Sequence, residues 1–176
     1  MKVYITTDTH FNHENLIEYC ERPEGFDKLI WKGLEKLPKD CLLIHLGDIC
    51  IGNDLEVHKR IKELPYKKIL TKGNHDSKSN KWYLENGWDS VCDRFSDHFF
   101  GRYITFSHLP VDGVQNLNIH GHFHNNLHRL LDGKFVVEGE EERNKDVLAI
   151  LTKNHKLLAI EDTNYEPVSL KKFLTN

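Results

Sequence analysis

Five short motifs rich in metal-ligating and proton-transferring residue types punctuate the first 124 residues. They are Asp8-Thr9-His10, Gly47-Asp48, Gly73-Asn74-His75-Asp76, Ser107-His108 and Gly121-His122-Phe123-His124. Carboxylate, carboxamide and imidazole groups suit divalent transition metals and near-neutral proton transfer. Each motif follows an apolar run, so each is expected at the end of a strand, in the loop rim where ligands gather on sheets with parallel strands. Residues two apart on a strand face the same way, which lets Asp8 share a pocket with His10, and His122 with His124. The glycines before Asp48, Asn74 and His122 remove a Cβ where backbone must turn tightly or approach an ion. Taken singly, these are common loop sequences. Five of them in order, all after strands, carry the signal.

The elements that must position them follow from the apolar periods. Lys2 to Thr7 reads as a strand, and Asn12 is placed to cap a short helix carrying Leu16, Ile17 and Cys20. Phe26, Leu29, Ile30, Leu34 and Leu37 recur at helical spacing until Pro38. Cys41 to Leu46 is a continuous apolar run with one histidine, as in a strand buried on both faces. Leu55, Val57, Ile61 and Leu64 mark a helix opened by Asn53 and closed by Pro65, with Glu56 and Arg60 one turn apart as an ion pair. Lys68 to Thr71 gives a third strand and Lys81 to Glu85 a short helix.

Beyond these, Ser90 to Phe95, Tyr103 to Ser107, Leu117 to His120, Val147 to Thr152 and Leu157 to Glu161 read as strands, with Lys153-Asn154-His155 as a tight turn. Glu138 to Asp146 reads as a solvated acidic loop. The first half is therefore β-α-β-α-β and the second mostly a meander. Two sheets packed together with helices outside satisfy both, as one α/β domain over residues 1–176.

Composition narrows the function classes. The chain has 176 residues and a net charge of -3, from 24 basic and 27 acidic side chains, and 12 histidines. A surface built to wrap nucleic acid would be basic, so that class starts at a disadvantage. The four cysteines show no Cys-x-x-Cys spacing, the nearest pair being nine residues apart, unlike a zinc knot or a secreted disulfide framework. No signal-peptide core and no run of eighteen apolar residues occurs, so a soluble cytoplasmic protein without a membrane partner is expected.

The order Asp-x-His, Gly-Asp, Gly-Asn-His-Asp, His and Gly-His-x-His resembles the calcineurin-like metallophosphoesterase superfamily. The phrases Thr9-His10-Phe11-Asn12-His13, Tyr19-Cys20-Glu21-Arg22-Pro23 and Tyr165-Glu166-Pro167-Val168-Ser169-Leu170 resemble a small single-domain subgroup of bacteria and their phages. The resemblance implies a four-layer αββα sandwich, two mixed sheets flanked by helices. It also implies a dinuclear site: Asp8, His10, Asp48 and His124 on one metal, and Asp48, Asn74, His108 and His122 on the other, with Asp48 bridging.

Such a site makes physical sense. Two divalent ions bring four positive charges and the two aspartates return two negative ones, leaving attraction for a phosphate. Two ions about 3.5–4 Å apart can share a bridging water, lower its pKa and hold it in line with phosphorus. The expected cofactor is a pair of divalent transition-metal ions, Mn foremost, with Fe, Zn, Co or Ni also compatible. His75, left without a metal role, is placed to protonate the leaving oxygen as general acid, with Asp76 orienting it.

Other candidates are weaker. Asn12, His13 and Arg22 could line a substrate pocket; equally, Asn12 and His13 could start a helix and Arg22 pair with a helix carboxylate. His45 reads as a satisfied core or supporting group, and His120 as either a donor to a ligand or sheet filling. His58, His98, His128 and His155 read as surface residues. His58 to Lys72 carries six Lys or Arg and one carboxylate, which reads as a solvated helix face or, alternatively, as steering for anionic substrates.

The expected function is hydrolysis of a phosphomonoester or phosphodiester, of a small molecule or nucleotide. The alternative is a nuclease or cyclic-nucleotide phosphodiesterase, which needs Lys59, Arg60, Lys67 or Lys72 to line an open groove on a polynucleotide. A non-catalytic metal-binding scaffold ranks lower still.

Overall fold

Backbone pairing sorts the strands into two mixed sheets in a computed structural model that describes residues 1–126 and 140–175. In the first sheet β1 (Val3–Thr6), β2 (Leu42–His45), β3 (Lys67–Thr71) and β4 (Ser90–Cys92) run parallel, and β9 (Val168–Ser169) lies antiparallel on the other edge of β1. The crossovers are helical, as parallel strands require. They are α1 (Leu16–Tyr19) with α2 (Phe26–Glu35), then α3 (Asp54–Glu63), then α4 (Asn80–Glu85). The second sheet holds β5 (Arg94–Phe99), β6 (Arg102–Ser107), β7 (Leu117–His120) and β8 (His155–Leu157) in that order. Only β5 and β6 are antiparallel; β6, β7 and β8 are parallel. Two helices complete the described chain, α5 (Glu140–Ala149) and α6 (Leu170–Phe173).

Two cores result. Ile5, Leu42, Ile44, Ile104, Phe106 and Ile119 fill the space between the sheets. Phe11, Trp31, Leu34, Leu43, Ile61 and Leu70 fill the space between the first sheet and its helices. The unbroken apolar run of β2 is explained by this: Leu42 and Ile44 face one core while Leu43 faces the other. Phe106 is fully buried with Phe95 stacked on it at 5.0 Å and Phe99 edge-on at 5.6 Å. Phe106→Ala is therefore expected to cost about 3–5 kcal/mol, read as a fall in urea midpoint at unchanged m. A loss below about 1 kcal/mol would mean that the intersheet core collapses around the cavity.

Several expectations are corrected. The second half is not a meander, because β6 to β7 and β7 to β8 are crossovers. Ser90 to Phe95 splits between sheets: β4 ends at Cys92 and β5 begins at Arg94, so the chain changes sheet at Asp93. Val147 to Thr152 is not a strand, and Glu138 to Asp146 is not a loop from Glu140 onward. Residues 140–149 form α5, where Glu, Arg, Lys, Leu and Ala favour helix and outweigh the short apolar run. Only His155 to Leu157 pairs where Leu157 to Glu161 was expected, and Glu161 opens a 3₁₀ turn. Glu56 pairs with Lys59 at 2.7 Å, and Arg60 reaches across to Glu35 at 2.6 Å while lying over Trp31. Asn12 sits at φ 66° before α1, whose cap position is Asn15.

Candidate metal centre

Strands β1 and β2 stop at Thr6 and His45, yet their backbones stay zipped. The Asp8 N–H donates to Gly47 O at 2.9 Å, His10 N–H to Asp48 O at 3.0 Å and Phe11 N–H to Ile49 O at 2.9 Å. The two loops thus run side by side and carry Asp8 and Asp48 into one place. Asp8, His10, Asp48, His122 and His124 all have positive φ, between 43° and 75°. For residues with a Cβ this costs about 1–2 kcal/mol each, a strain that concentrates at functional sites.

Loop geometry, not strand alternation, therefore aims these side chains. His122 and His124 turn to different donors: His122 Nδ1 lies 3.2 Å from His108 Nε2, whereas His124 Nε2 lies 3.9 Å from Asp8 Oδ1. Strand β7 ends at His120, and two left-handed residues break the period of two. The glycine expectation fits closely at two positions. A Cβ on Gly73 would land on the Asp48 carboxylate, and one on Gly121 on the Thr7 hydroxyl and Asp8 carboxylate.

Two donor clusters meet at Asp48. In the first, Asp8, His10 and His124 converge, with His10 Nε2 at 3.8 Å from Asp8 Oδ1. In the second, Asp48, His108 and His122 converge, and Asn74 Oδ1 lies 3.0 Å from His108 Nε2. Asp48 Oδ2 stands between them, 3.4 Å from His10 Nε2 and 3.3 Å from His108 Nε2. Donors about 2.1 Å from a common ion lie about 3.0–3.4 Å apart along octahedral or tetrahedral edges. The separations around His108 and Asp48, 3.0–3.4 Å, match such edges, whereas Asp8 Oδ1 stands farther from His10 and His124, at 3.8 and 3.9 Å.

Hydrogen bonding alone does not account for them. His108 Nε2 has three polar neighbours at 3.0–3.3 Å, more than one ring nitrogen can serve. Its Nδ1 faces the Leu46 carbonyl at 2.8 Å, which accepts only, so Nδ1 carries hydrogen and Nε2 presents a lone pair in the neutral ring. Asp8 is fully buried; its Oδ2 accepts from the Thr7 hydroxyl and His122 N–H, while Oδ1 has no hydrogen-bond partner among the described residues. A buried, orphaned carboxylate oxygen facing two imidazoles fits a cation.

Electrostatics agree with that fit. Burial lowers the His10 pKa well below its usual value, helped by His124. Burial acts the same way on His108, but Asp8, Asp48 and the Leu46 carbonyl reverse it and raise its pKa to about 9.

The remaining predicted residues fall around this centre. His75 is exposed at the rim, its ring 5.3 Å from that of His10, and its backbone N–H donates to Asp48 Oδ1 at 2.9 Å. Asp76 has another task than orienting His75. Its carboxylate accepts backbone N–H groups of Asp48, Gly73 and Ile49 at 2.8–3.1 Å, tying two loops together. His13 is half-buried beside His10 at 5.4 Å. Asn12 is exposed, and its backbone N–H donates to Asp27. Arg22 has no exposed surface to offer a phosphate; its side chain is 0% exposed and pairs with Glu161 at 2.7 Å.

Other histidines sort by partner. His45 accepts the Gly47 N–H at Nδ1 and faces the Thr9 hydroxyl at Nε2, with burial lowering its pKa to about 3. His120 faces the Gly121 carbonyl at 3.0 Å. His58 is a correction: it is buried among Trp82, Tyr83 and Trp88, because α3 turns that face toward α4. His155 is half-buried against the Val111 carbonyl, and His98 is exposed. His128 lies outside the described residues.

The basic segment is engaged locally. Lys59 and Lys67 pair with Glu56 and Asp89, Lys62 donates to the Glu85 carbonyl, Lys68 is buried on the Leu64 and Tyr66 carbonyls, and Lys72 donates to Lys78 O. Sequence reasoning missed Thr7, Thr9 and Glu161. Thr7 and Thr9 sit beside the residues that carry the chemistry, and only the fold brings Glu161 back to His124. All four cysteines are free, and no helix among the described residues is long and apolar enough to cross a membrane.

The family model described as calcineurin-like phosphoesterase matches residues 1–173. An uncharacterized protein of Methanocaldococcus jannaschii is 29% identical over 178 aligned positions, covering 96% of this chain and 87% of that one. A solved structure of a protein of unknown function from Aquifex aeolicus superimposes with a TM-score of 0.69 at 27% identity, covering 99% and 98% of the two chains. The likeness to that structure extends over nearly the full length of both chains.

Proposed function

The chain belongs to the calcineurin-like phosphoesterase family, and on that premise we propose that it hydrolyses phosphate mono- or diesters of small molecules or nucleotides with two divalent transition-metal ions, Mn foremost. The observation that carries this reading is Asp48 Oδ2, held 3.4 and 3.3 Å from a histidine of each cluster. Asp8, His10 and His124 would hold one ion and Asn74, His108 and His122 the other, with Asp48 common to both. When bound, such a pair supplies an activated water and neutralises charge on the phosphoryl oxygens.

The chain's own residues do the rest. The Thr7 hydroxyl and His122 N–H fix Asp8, and the His75 N–H fixes Asp48, so each carboxylate keeps one oxygen for the centre. His75, exposed beside His10, is the proton donor to the departing oxygen. His13 lines the same mouth. The polynucleotide alternative loses support, because Lys59, Arg60, Lys67 and Lys72 are all paired locally.

The test is hydrolysis of bis-p-nitrophenyl phosphate and p-nitrophenyl phosphate by metal-stripped protein with single metals restored. Turnover is expected to return with Mn at two ions per chain, and to vanish again with chelator. Two ions bound and neither ester cleaved under any metal would favour the non-catalytic scaffold.

A further inference from the structure

We propose that Glu161 and Arg22 form a positioning pair that sets the tautomer and aim of His124 toward the metal centre, an inference that rests on reading His124 as a ligand. Glu161 Oε1 lies 3.1 Å from His124 Nδ1. Arg22 holds the same oxygen through Nε at 2.9 Å and Nη2 at 2.7 Å, which keeps the carboxylate ionised and accepting. The only hydrogen available to it from His124 is on Nδ1. Arg22 Nη2 also lies 3.3 Å from Nδ1, but it only donates and its two hydrogens are directed at Glu161 Oε1 and Asp8 O, at 2.7 and 2.6 Å, which leaves Nδ1 to donate to the carboxylate. His124 Nε2 is therefore the lone-pair nitrogen, and it is the one that faces Asp8 Oδ1.

The pair is built in from both ends of the chain. The side chains of Arg22 and Glu161 are 0% and 4% exposed. Arg22 also donates from Nη1 to Thr9 O at 3.0 Å and from Nη2 to Asp8 O at 2.6 Å. One guanidinium thus holds the left-handed Asp8–His10 loop and, through Glu161, the ring opposite it. A carboxylate behind a metal-binding histidine fixes ring orientation and raises ligand basicity, and its loss typically weakens metal binding about 10–100-fold. Cys20, His124 and Glu161 also cluster closely enough to suggest a third ion. Arg22 already supplies the cation there.

The experiment is a stepwise Mn titration of metal-free full-length protein by calorimetry. Wild type is expected to bind two ions. In Glu161→Ala one binding step weakens about 10–100-fold and the other does not move. Glu161→Gln, which keeps an acceptor oxygen for the Nδ1 hydrogen, recovers most of that loss. Unchanged affinity at both steps, equal weakening of both, or three ions in wild type overturns the pair while leaving the two-ion reading standing or enlarged. A wild-type chain that binds no metal overturns the centre and the pair with it. Should Glu161→Ala not fold, nitrogen-15 spectra of zinc-loaded wild type decide: hydrogen on His124 Nδ1 supports the pair, and hydrogen on Nε2 overturns it.

Discussion

Asp48→Ala is expected to lose metal and activity together. Its Oδ2 is the oxygen nearest both clusters, 3.4 Å from His10 Nε2 and 3.3 Å from His108 Nε2. Removing it takes a ligand from each proposed ion at once and leaves too little negative charge to hold two dications close together. Several kcal/mol of transition-state stabilisation reside in such ions, so diesterase turnover should fall by at least about 10³-fold. Metal content after dialysis should drop from two per chain to one or none. Asp48→Asn, which keeps the shape and the acceptor for the His75 N–H, separates charge from geometry. Normal metal content in Asp48→Ala, with circular dichroism showing a folded chain, would remove the bridging role.

His75→Ala has the second largest effect, and it depends on the substrate. The backbone N–H that fixes Asp48 survives the substitution, so both ions should remain. What disappears is an exposed imidazole at the mouth of the site. For alkyl esters, whose leaving oxygen needs a proton, turnover is expected to fall about 10²–10⁴-fold. For nitrophenyl esters, whose leaving group departs as a stable anion, the fall should stay below about tenfold. Rates for a series of leaving groups would show a steeper dependence on leaving-group pKa in the variant. Equal losses across the series would take His75 out of the acid role.

Much of this molecule is written in local patterns. The apolar run from Cys41 to Leu46 reads as a doubly buried strand, and β2 faces both cores. The five motifs mark the loops that the fold gathers, because ligand residue types stay distinctive without a structure. What stayed hidden is non-local. Asp76 looks like a partner for its neighbour His75 but braces the amides of Gly73, Asp48 and Ile49, a choice set by how two loops pack. Glu161 meets Arg22 from 139 residues away. His58 looks like a surface residue on a polar helix until Trp82 and Trp88 arrive from the next crossover. Val147 to Thr152 misleads in the opposite sense, since its apolar run reads as a strand while Val147 to Ala149 continue a helix begun earlier.

The chain's change of sheet at Asp93 has a consequence for assembly. Asp8, His10, Asp48 and Asn74 follow strands of the first sheet, whereas His108, His122 and His124 follow strands of the second. Neither half offers a complete set of donors alone, so no high-affinity centre exists until the two halves have docked. Metal capture would then come late in folding and act as a rivet across the sandwich. By mass action, each site filled at 100 times its dissociation constant adds about 2.7 kcal/mol against separation of the sheets.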